Sequence, residues 1–526
     1  MSVNHPYAHF LGDILAETAK RVPDKEAIVY NDERVTWAAF DLRVDHLAKA
    51  FLEMGIQRGD RIGIISTTRP EYLYTYLAAA RIGAILVGFN ILSSPSELAR
   101  LANMTRPAAM VVLGRVGDKD VAAGFEPLFD SMPFVEHYIT IGEGAPDGAT
   151  RFEELIAADR SDQDTALAAR RAEMEEDDGV LIVFTSGSTG EPKGALLTHK
   201  SIIDNIAVET AKLGFTEDDR TLLHLPLSHV SGATELSIPA LMLGATLIVR
   251  DHFHPADTLD IIQKERVTLL GQVPTMYIME LNLPNYGDYD LSSLRAAVVA
   301  GAATPPPVMR QMMEMAPIVI TGYGMTEVGG FVTYTAPDDD PETIGLTVGA
   351  IAPEFGLRVV DDSRTELPTG EAGEVAIRGT CVMKEYFENP EETAASVDED
   401  GWFYTGDIGR LDDRGYLTLV DRKKEMYITG GYNVYPREVE EQISHHPEVA
   451  LVACLGTDDA VMGEVGSVYI VPKPGAELSA NEVLVHCRQG LAEYKIPRYV
   501  HIREALPLTS LGKVDKRKLR SEVEGA

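Results

Sequence analysis

Short all-apolar runs alternate with longer amphipathic stretches over most of the chain. Arg61-Ile62-Gly63-Ile64-Ile65 precedes a helical stretch from Glu71 to Arg81, and Ala84-Ile85-Leu86-Val87 follows it. Later come Ala108–Leu113, Val180–Phe184, Ala245–Val249, Ala296–Ala300 and Ile318-Val319-Ile320. Such runs are too short for helices and match strands buried on both faces. Strands alternating with helices predict an α/β fold of layers on largely parallel sheets. From about residue 345 the texture changes to short strands with Gly-rich turns, as in Gly373–Gly379, which predicts a small β-rich subdomain. The charged run Asp421-Arg422-Lys423-Lys424-Glu425 separates this from a small α+β unit. The domain expectation is therefore an N-terminal domain over 1–421, a hinge at 422–424 and a C-terminal domain over 425–526.

Length supports that division, because 526 residues exceed the roughly 250–300 that one core sustains. An apolar fraction of 45% and a charged fraction of 24% suit a folded soluble protein. No apolar run reaches the roughly 18 residues of a membrane helix; Leu77–Leu92 comes nearest and is broken by Arg81 and Asn90. The first residues carry no charged start and apolar core of a secretion signal. Cys381, Cys454 and Cys487 lie far apart, without metal or disulfide spacing. A reducing cytoplasm is the expected location, with no integral membrane association.

The net charge of −34 argues against a nucleic-acid partner. It is unevenly spread. Residues 1–421 carry 33 Lys+Arg against 66 Asp+Glu, whereas residues 422–526 carry 14 against 15. Two units with different electrostatic roles are implied.

The chemistry concentrates in Thr185-Ser186-Gly187-Ser188-Thr189-Gly190-Glu191-Pro192-Lys193-Gly194. Glycines let backbone N–H groups turn inward, hydroxyls add donors, and the lysine supplies a compact positive charge, all suited to phosphate. With the apolar run 180–184 upstream and a helix pattern from Thr198 downstream, the loop is expected between strand and helix, where anions bind. It is no Walker A loop, since Gly194 rather than a hydroxyl residue follows the lysine. On composition alone a flexible surface loop fits as well.

Tyr323-Gly324-Met325-Thr326-Glu327 follows the strand 318–320, at the carboxyl end where α/β sheets bind ligands. Glu327 suits Mg²⁺, which takes one or two carboxylates plus phosphate oxygens; a Thr-Glu helix start explains the pair equally well. Asp407, in Tyr404-Thr405-Gly406-Asp407, could accept both hydroxyls of a ribose or be a turn aspartate, and Arg422 offers a second contact. Gly430-Gly431-Tyr432 permits close approach of another chain to the backbone. Lys513 sits on a glycine-preceded loop near the C-terminus. Among the histidines, His229 in Pro226–Gly232 is the best candidate to line a site; His252 and His254 have no third ligand nearby. No G-x-S-x-G, H-E-x-x-H or C-x-x-C occurs, which removes hydrolase, zinc-protease and dithiol readings.

In this order and spacing the segments resemble the adenylate-forming superfamily, from about residue 10 to 520, and within it the fatty- and aromatic-acyl-CoA ligases. The run 421–425 with Gly430-Gly431-Tyr432-Asn433-Val434-Tyr435-Pro436-Arg437 is typical of that branch. The resemblance implies that a carboxylic acid is adenylated by ATP with release of pyrophosphate and then passed to CoA, with Mg²⁺ required. It implies that Thr185, Ser186, Gly187, Ser188, Thr189, Gly190 and Lys193 hold the β- and γ-phosphates. Gly301, Ala302, Ala303 and Tyr323 would flank adenine and the acyl pocket, with Ala302 where the family more often has glycine. Thr326 and Glu327 would meet the α-phosphate and Mg²⁺, and Asp407 and Arg422 the ribose. Lys424 would be the hinge of a mobile C-terminal domain. Lys513 would serve the first half-reaction, and Gly430, Gly431 and Tyr432 the second.

For the acyl group the expected residues are His229, Val230, Ser231, Gly232, Met276, Met279, Gly301, Tyr323 and Gly324. No obvious basic residue in this set awaits a second carboxylate, which favours a monocarboxylic acid, medium-chain or aromatic, within fatty acid metabolism. An acyl-AMP ligase charging a carrier protein, or a nucleotide-binding protein without catalysis, are the alternatives; Lys513 speaks against the latter. A homodimer is an expectation at family level only.

Overall fold

The computed structural model describes residues 3–117, 119–125, 128, 131–144, 148–186, 192–302, 304–423, 425–429, 432–459, 461–509 and 513–524. Packing divides the chain into two units. The first holds Met1–Gly356 and Arg378–Phe403, the second Leu357–Ile377 and Tyr404–Ala526.

Among the described residues the first unit has a nine-stranded and an eight-stranded sheet. In the nine-stranded sheet, Ile318–Met325, Ala296–Val299, Leu269–Gln272, Arg220–Leu223, Thr246–Val249 and Glu26–Tyr30 run in that order, all parallel. In the eight-stranded sheet, Gly179–Ser186, Ile85–Phe89, Arg61–Ile65, Ala109–Leu113 and His137–Ile141 are parallel neighbours. Ile85–Phe89 and Ala109–Leu113 are buried at every position. That is why their sequences show no period-2 alternation. One core packs Leu270, Val299, Met309 and Met312 on the first sheet; another packs Phe89, Met110, Val112 and Ile182 on the second. Helix Pro70–Arg81 places Tyr72, Tyr74 and Tyr76 in the interior.

Pro192–Thr198 corrects the sequence expectation. It is a strand, antiparallel to Gly179–Ser186, with Thr185 opposite Lys193 and Ser186 opposite Pro192. The Gly/Ser segment is therefore followed by a second strand, antiparallel to the first, rather than directly by a helix. The helix His199–Lys212 follows only after that second strand. Its start is a capping box: Thr198 Oγ1 accepts from Ser201 N and Ser201 Oγ accepts from Thr198 N, both at 3.0 Å. The helix is buried nearly all round, although it carries Asp204, Asn205 and Glu209.

Gly356–Val360, Gly373–Arg378, Trp402–Leu411 and Leu417–Arg422 form a four-stranded sheet, the expected β-rich part. A further sheet has Gly463–Pro472 paired with Val449–Asp459 and, in parallel, with Tyr499–Ile502. Tyr427, Val439, Ile443, Cys454 and Val468 make its core. Lys516 is paired twice: its Nζ lies 2.9 Å from Glu425 and 2.8 Å from Glu440. All three cysteines are free and buried. Among the described residues no helix is long and apolar enough to cross a membrane.

Candidate active site

Strand Ile318–Met325 starts parallel to Ala296–Val299, then continues antiparallel to Gly330–Tyr334, with Tyr323 opposite Thr333. Thr326–Val328 is the tight turn between these strands. Thr326 and Glu327 thus open a single 3-10 turn at a hairpin tip rather than an α-helix. Gly324 must be glycine there, because a Cβ would stand 1.9 Å from the Gly330 carbonyl oxygen.

Glu327 is only 7% exposed. Its backbone oxygen accepts from Met383 N at 2.7 Å, and its Oε1 accepts from the Tyr386 hydroxyl at 2.9 Å. Burial, and next the Glu327 charge, push the Tyr386 hydroxyl far above its ordinary range, so it stays a donor. Lys193 lies over the same ring, its Nζ 5.1 Å from the centroid, and pairs with Glu392. The link from Lys193 to Glu327 is built by strand Glu385–Tyr386, which pairs with Pro192–Thr198 so that Ala195 faces Tyr386. One phenol ring therefore spaces a buried cation from a buried carboxylate.

The 229–232 segment is tied to this turn. Thr234 Oγ1 lies 2.7 Å from both Val230 O and Gly329 O, and Asn205 Nδ2 donates to Val328 O at 2.6 Å. His229, Val230 and Ser231 are half-buried and lead into a π-helical turn, Ser231–Leu236, a form frequent at functional sites. Gly232 has no room for a side chain, since Pro226 O would lie 2.6 Å from its Cβ. Tyr323 is 6% exposed and reaches Met325 Sδ at 3.8 Å. Gly301 takes the left-handed region at φ 89, just past the strand Ala296–Val299, and Ala302 beside it is exposed. Met276 is half-buried on helix Pro274–Leu281, whereas Met279 is 46% exposed.

In the second unit, Asp407 lies mid-strand rather than in a turn, 6% exposed and directly opposite Arg422. The two expected ribose contacts are thereby cross-strand partners. Lys513 is half-buried; its N–H donates to Thr509 Oγ1 at 3.2 Å and its carbonyl accepts from Thr509 N at 2.7 Å. Gly187, Ser188, Thr189, Gly190, Ala303, Lys424, Gly430 and Gly431 lie outside the described residues, as do the side chains of Ser186, Arg422 and Tyr432.

Sequence reasoning missed Tyr386 and Glu392, the latter 199 positions after Lys193 in the chain. Among the described residues no group of three or more His, Cys, Asp or Glu could cage a metal ion. Glu327 suits a divalent ion that completes its shell with oxygens from elsewhere, as Mg²⁺ does on nucleotides.

A family model described as AMP-binding enzyme matches residues 15–387, and one described as AMP-binding enzyme C-terminal domain matches 438–513. A Mycobacterium tuberculosis protein named 3-[(3aS,4S,7aS)-7a-methyl-1,5-dioxo-octahydro-1H-inden-4-yl]propanoyl:CoA ligase is 36% identical, over 96% of this chain and 97% of its own. A feruloyl-CoA synthase from Amycolatopsis sp is 34% identical, over 97% of this chain and 98% of its own. Among solved structures, an anthranilate CoA ligase in complex with anthranoyl-AMP superposes with a TM-score of 0.88 at 26% identity, covering 99% of this chain and 98% of that one.

Proposed function

Because this chain belongs to the AMP-binding enzymes and is an ATP-dependent acyl-CoA ligase, we propose a role for each part of the site in its two half-reactions. A carboxylate is a poor electrophile. It first attacks the α-phosphorus of ATP in line, pyrophosphate leaves, and the acyl-adenylate then presents a good leaving group to the CoA thiol. In the first step two anions must meet, so cations must be fixed where charge develops.

Lys193 and the segment 185–190 take the β- and γ-phosphates. Thr326 and Glu327 take the α-phosphate side, and Glu327 is the residue that would hold Mg²⁺. The ion, when bound, neutralises phosphate charge. Asp407 and Arg422 hold the ribose; Gly301, Ala302, Ala303 and Tyr323 flank adenine. The acyl group lies along His229, Val230, Gly232, Met276 and Gly324. Lys513 is the cation of adenylation only. Rotation about Lys424 then exchanges it for Gly430, Gly431 and Tyr432, a gating step and not new chemistry.

The observation that carries this reading is the fixed spacing of Lys193 and Glu327 by Tyr386. The acid is proposed to be monocarboxylic, with a ring-bearing or medium-length acyl group; two relatives are named for ring-bearing acids. Pyrophosphate release from ATP across short, medium and long fatty, benzoic, cinnamic and dicarboxylic acids tests it. Release that needs Mg²⁺, CoA and one class of acid is expected. Pyrophosphate exchange without CoA-dependent turnover would instead assign the acyl group to another acceptor, such as a carrier protein.

A further inference from the structure

Rotation about Lys424 sets the place of Lys513 only if the two are joined stiffly, and they lie far apart in the chain. Lys516 makes such a join. It is the first residue of helix Lys516–Glu524, and its Nζ donates to Glu425 Oε2 at 2.9 Å and lies 2.8 Å from Glu440 Oε1. Glu425 directly follows Lys424, 91 positions before Lys516. Glu440 stands on helix Pro436–Ser444 and is itself fixed, since its Oε1 accepts from Cys454 N at 2.6 Å. All three charged side chains are half-buried, so water and salt screen their attraction less than at an open surface.

From Lys516 back to Lys513 the chain is laddered. Asp515 N donates to Pro507 O at 2.8 Å, Leu508 and Val514 form an antiparallel bridge, and Thr509 N donates to Lys513 O at 2.7 Å. Lys513 N closes the ladder on Thr509 Oγ1 at 3.2 Å. The base of this ladder is seated, because Leu506 and Leu519 are buried with Leu455 and Tyr469. Its outer part is not, because Leu508 and Thr509 are exposed. Charge pairing at Lys516 therefore adds, at the foot of the ladder, a tie that apolar packing does not give farther out.

We propose that Lys516 is a positioning residue for adenylation: bonded to Glu425 and Glu440, it transmits the setting of the pivot to Lys513. The inference rests on the reading of Lys513 as the cation of adenylation and of Lys424 as the pivot. A cation that stabilises charge developing in the transition state depends on its placement, and a misplacement of about 1 Å can cost on the order of 10²-fold in rate. The segment assigned to thioester formation is held by pairings that bypass Lys516. Strand Tyr427–Thr429 pairs with Tyr432–Val434 and, at Thr429, with Gly463. Tyr427 and Val434 are buried in one core with Val439 and Cys454. Loss of Lys516 should thus fall on one half-reaction and spare the other.

The test measures the half-reactions separately, with benzoate, cinnamate or octanoate, whichever wild type ligates fastest. Adenylation is read as acid-dependent pyrophosphate exchange, and thioester formation as CoA acylation from the supplied acyl-adenylate. Wild type, Lys516→Met, Lys516→Arg, Lys516→Met combined with Glu440→Gln, and Lys513→Ala are compared, each beside its melting temperature. Lys516→Met should slow adenylation on the order of 10-fold at saturating ATP, with KM for ATP unchanged. Thioester formation should stay at the wild-type rate. Lys516→Arg keeps the charge and should restore adenylation. Methionine alone leaves Glu440 without its cation, which costs stability. Glu440→Gln removes that charge while keeping the acceptor for Cys454 N, so the double variant should regain melting temperature and still adenylate slowly. If Lys516→Met does not fold, the double variant decides. The inference is overturned, with Lys513 still assigned, if Lys513→Ala loses adenylation but Lys516→Met does not. It is equally overturned if arginine fails to restore adenylation, if both half-reactions fall together, or if adenylation recovers with melting temperature in the double variant. Adenylation at the wild-type rate in Lys513→Ala removes the role of Lys513, and the inference with it.

Discussion

Tyr386 shows how much one hydroxyl carries. It gives Glu327 a neutral donor at 2.9 Å, which fixes the carboxylate without cancelling its charge. Tyr386→Phe should leave the fold intact and lower kcat/KM about tenfold, the worth of one hydrogen bond to a charged group; initial rates over a range of subsaturating ATP, read beside the melting temperature, check it. Glu280 makes a different prediction. Its side chain is fully buried, its Oε1 accepts from Gln272 Nε2 at 2.7 Å, and its Oε2 has no partner. Burial raises this carboxyl to about 8. From its ordinary range up to that value the folded chain keeps the proton and the unfolded chain releases it. Stability is full at acid pH and drains away as pH climbs, by up to roughly 1.4 kcal/mol per unit. Glu280→Gln should match wild type near pH 5 and exceed it at pH 8, by a margin that grows with pH in urea unfolding. Residues of this kind were only half legible. Lys193 and Glu327 stand in motifs, but Tyr386 and Glu392 are defined by neighbours far along the chain, which no local pattern encodes.

At the scale of elements, legibility followed the physics of burial. The central strands read clearly because both their faces are covered, so every residue is apolar. Pro192–Thr198 did not, because proline, lysine and glycine open it and each normally marks a turn. Only pairing along Gly179–Ser186 on one side and Glu385–Tyr386 on the other makes it a strand. The hairpin tip 326–328 was likewise hidden, since a Thr-Glu pair suits a helix start equally well. The capping box at Thr198 offers a clean element-level test. Thr198→Val keeps the volume but leaves Ser201 N without its acceptor, and should cost about 1 kcal/mol of unfolding free energy. A shift in urea midpoint without change in slope is the expected record; no shift would mean that the buried faces of the helix alone hold it.

For the whole molecule the proposed division of labour follows the spread of charge along the sequence. Charge is concentrated in residues 1–421, with 33 Lys+Arg against 66 Asp+Glu, while the near-neutral remainder can approach polyanionic ATP and CoA without repulsion. Lys513→Ala should lower adenylation by on the order of 10²–10³-fold, the usual loss for one preorganised charge partner. Thioester formation from supplied acyl-adenylate should stay near wild type, and equal loss of both half-reactions would remove Lys513 from its proposed role. The pairing of Lys193 with Glu392 carries a last consequence. A lysine already married to a carboxylate does not greet phosphate as a bare charge: in the role proposed for Lys193, an arriving nucleotide would trade places with Glu392, one anion for another. Binding then becomes an exchange whose net charge change is small, so ATP affinity should vary less with ionic strength than a lysine-lined phosphate loop would suggest.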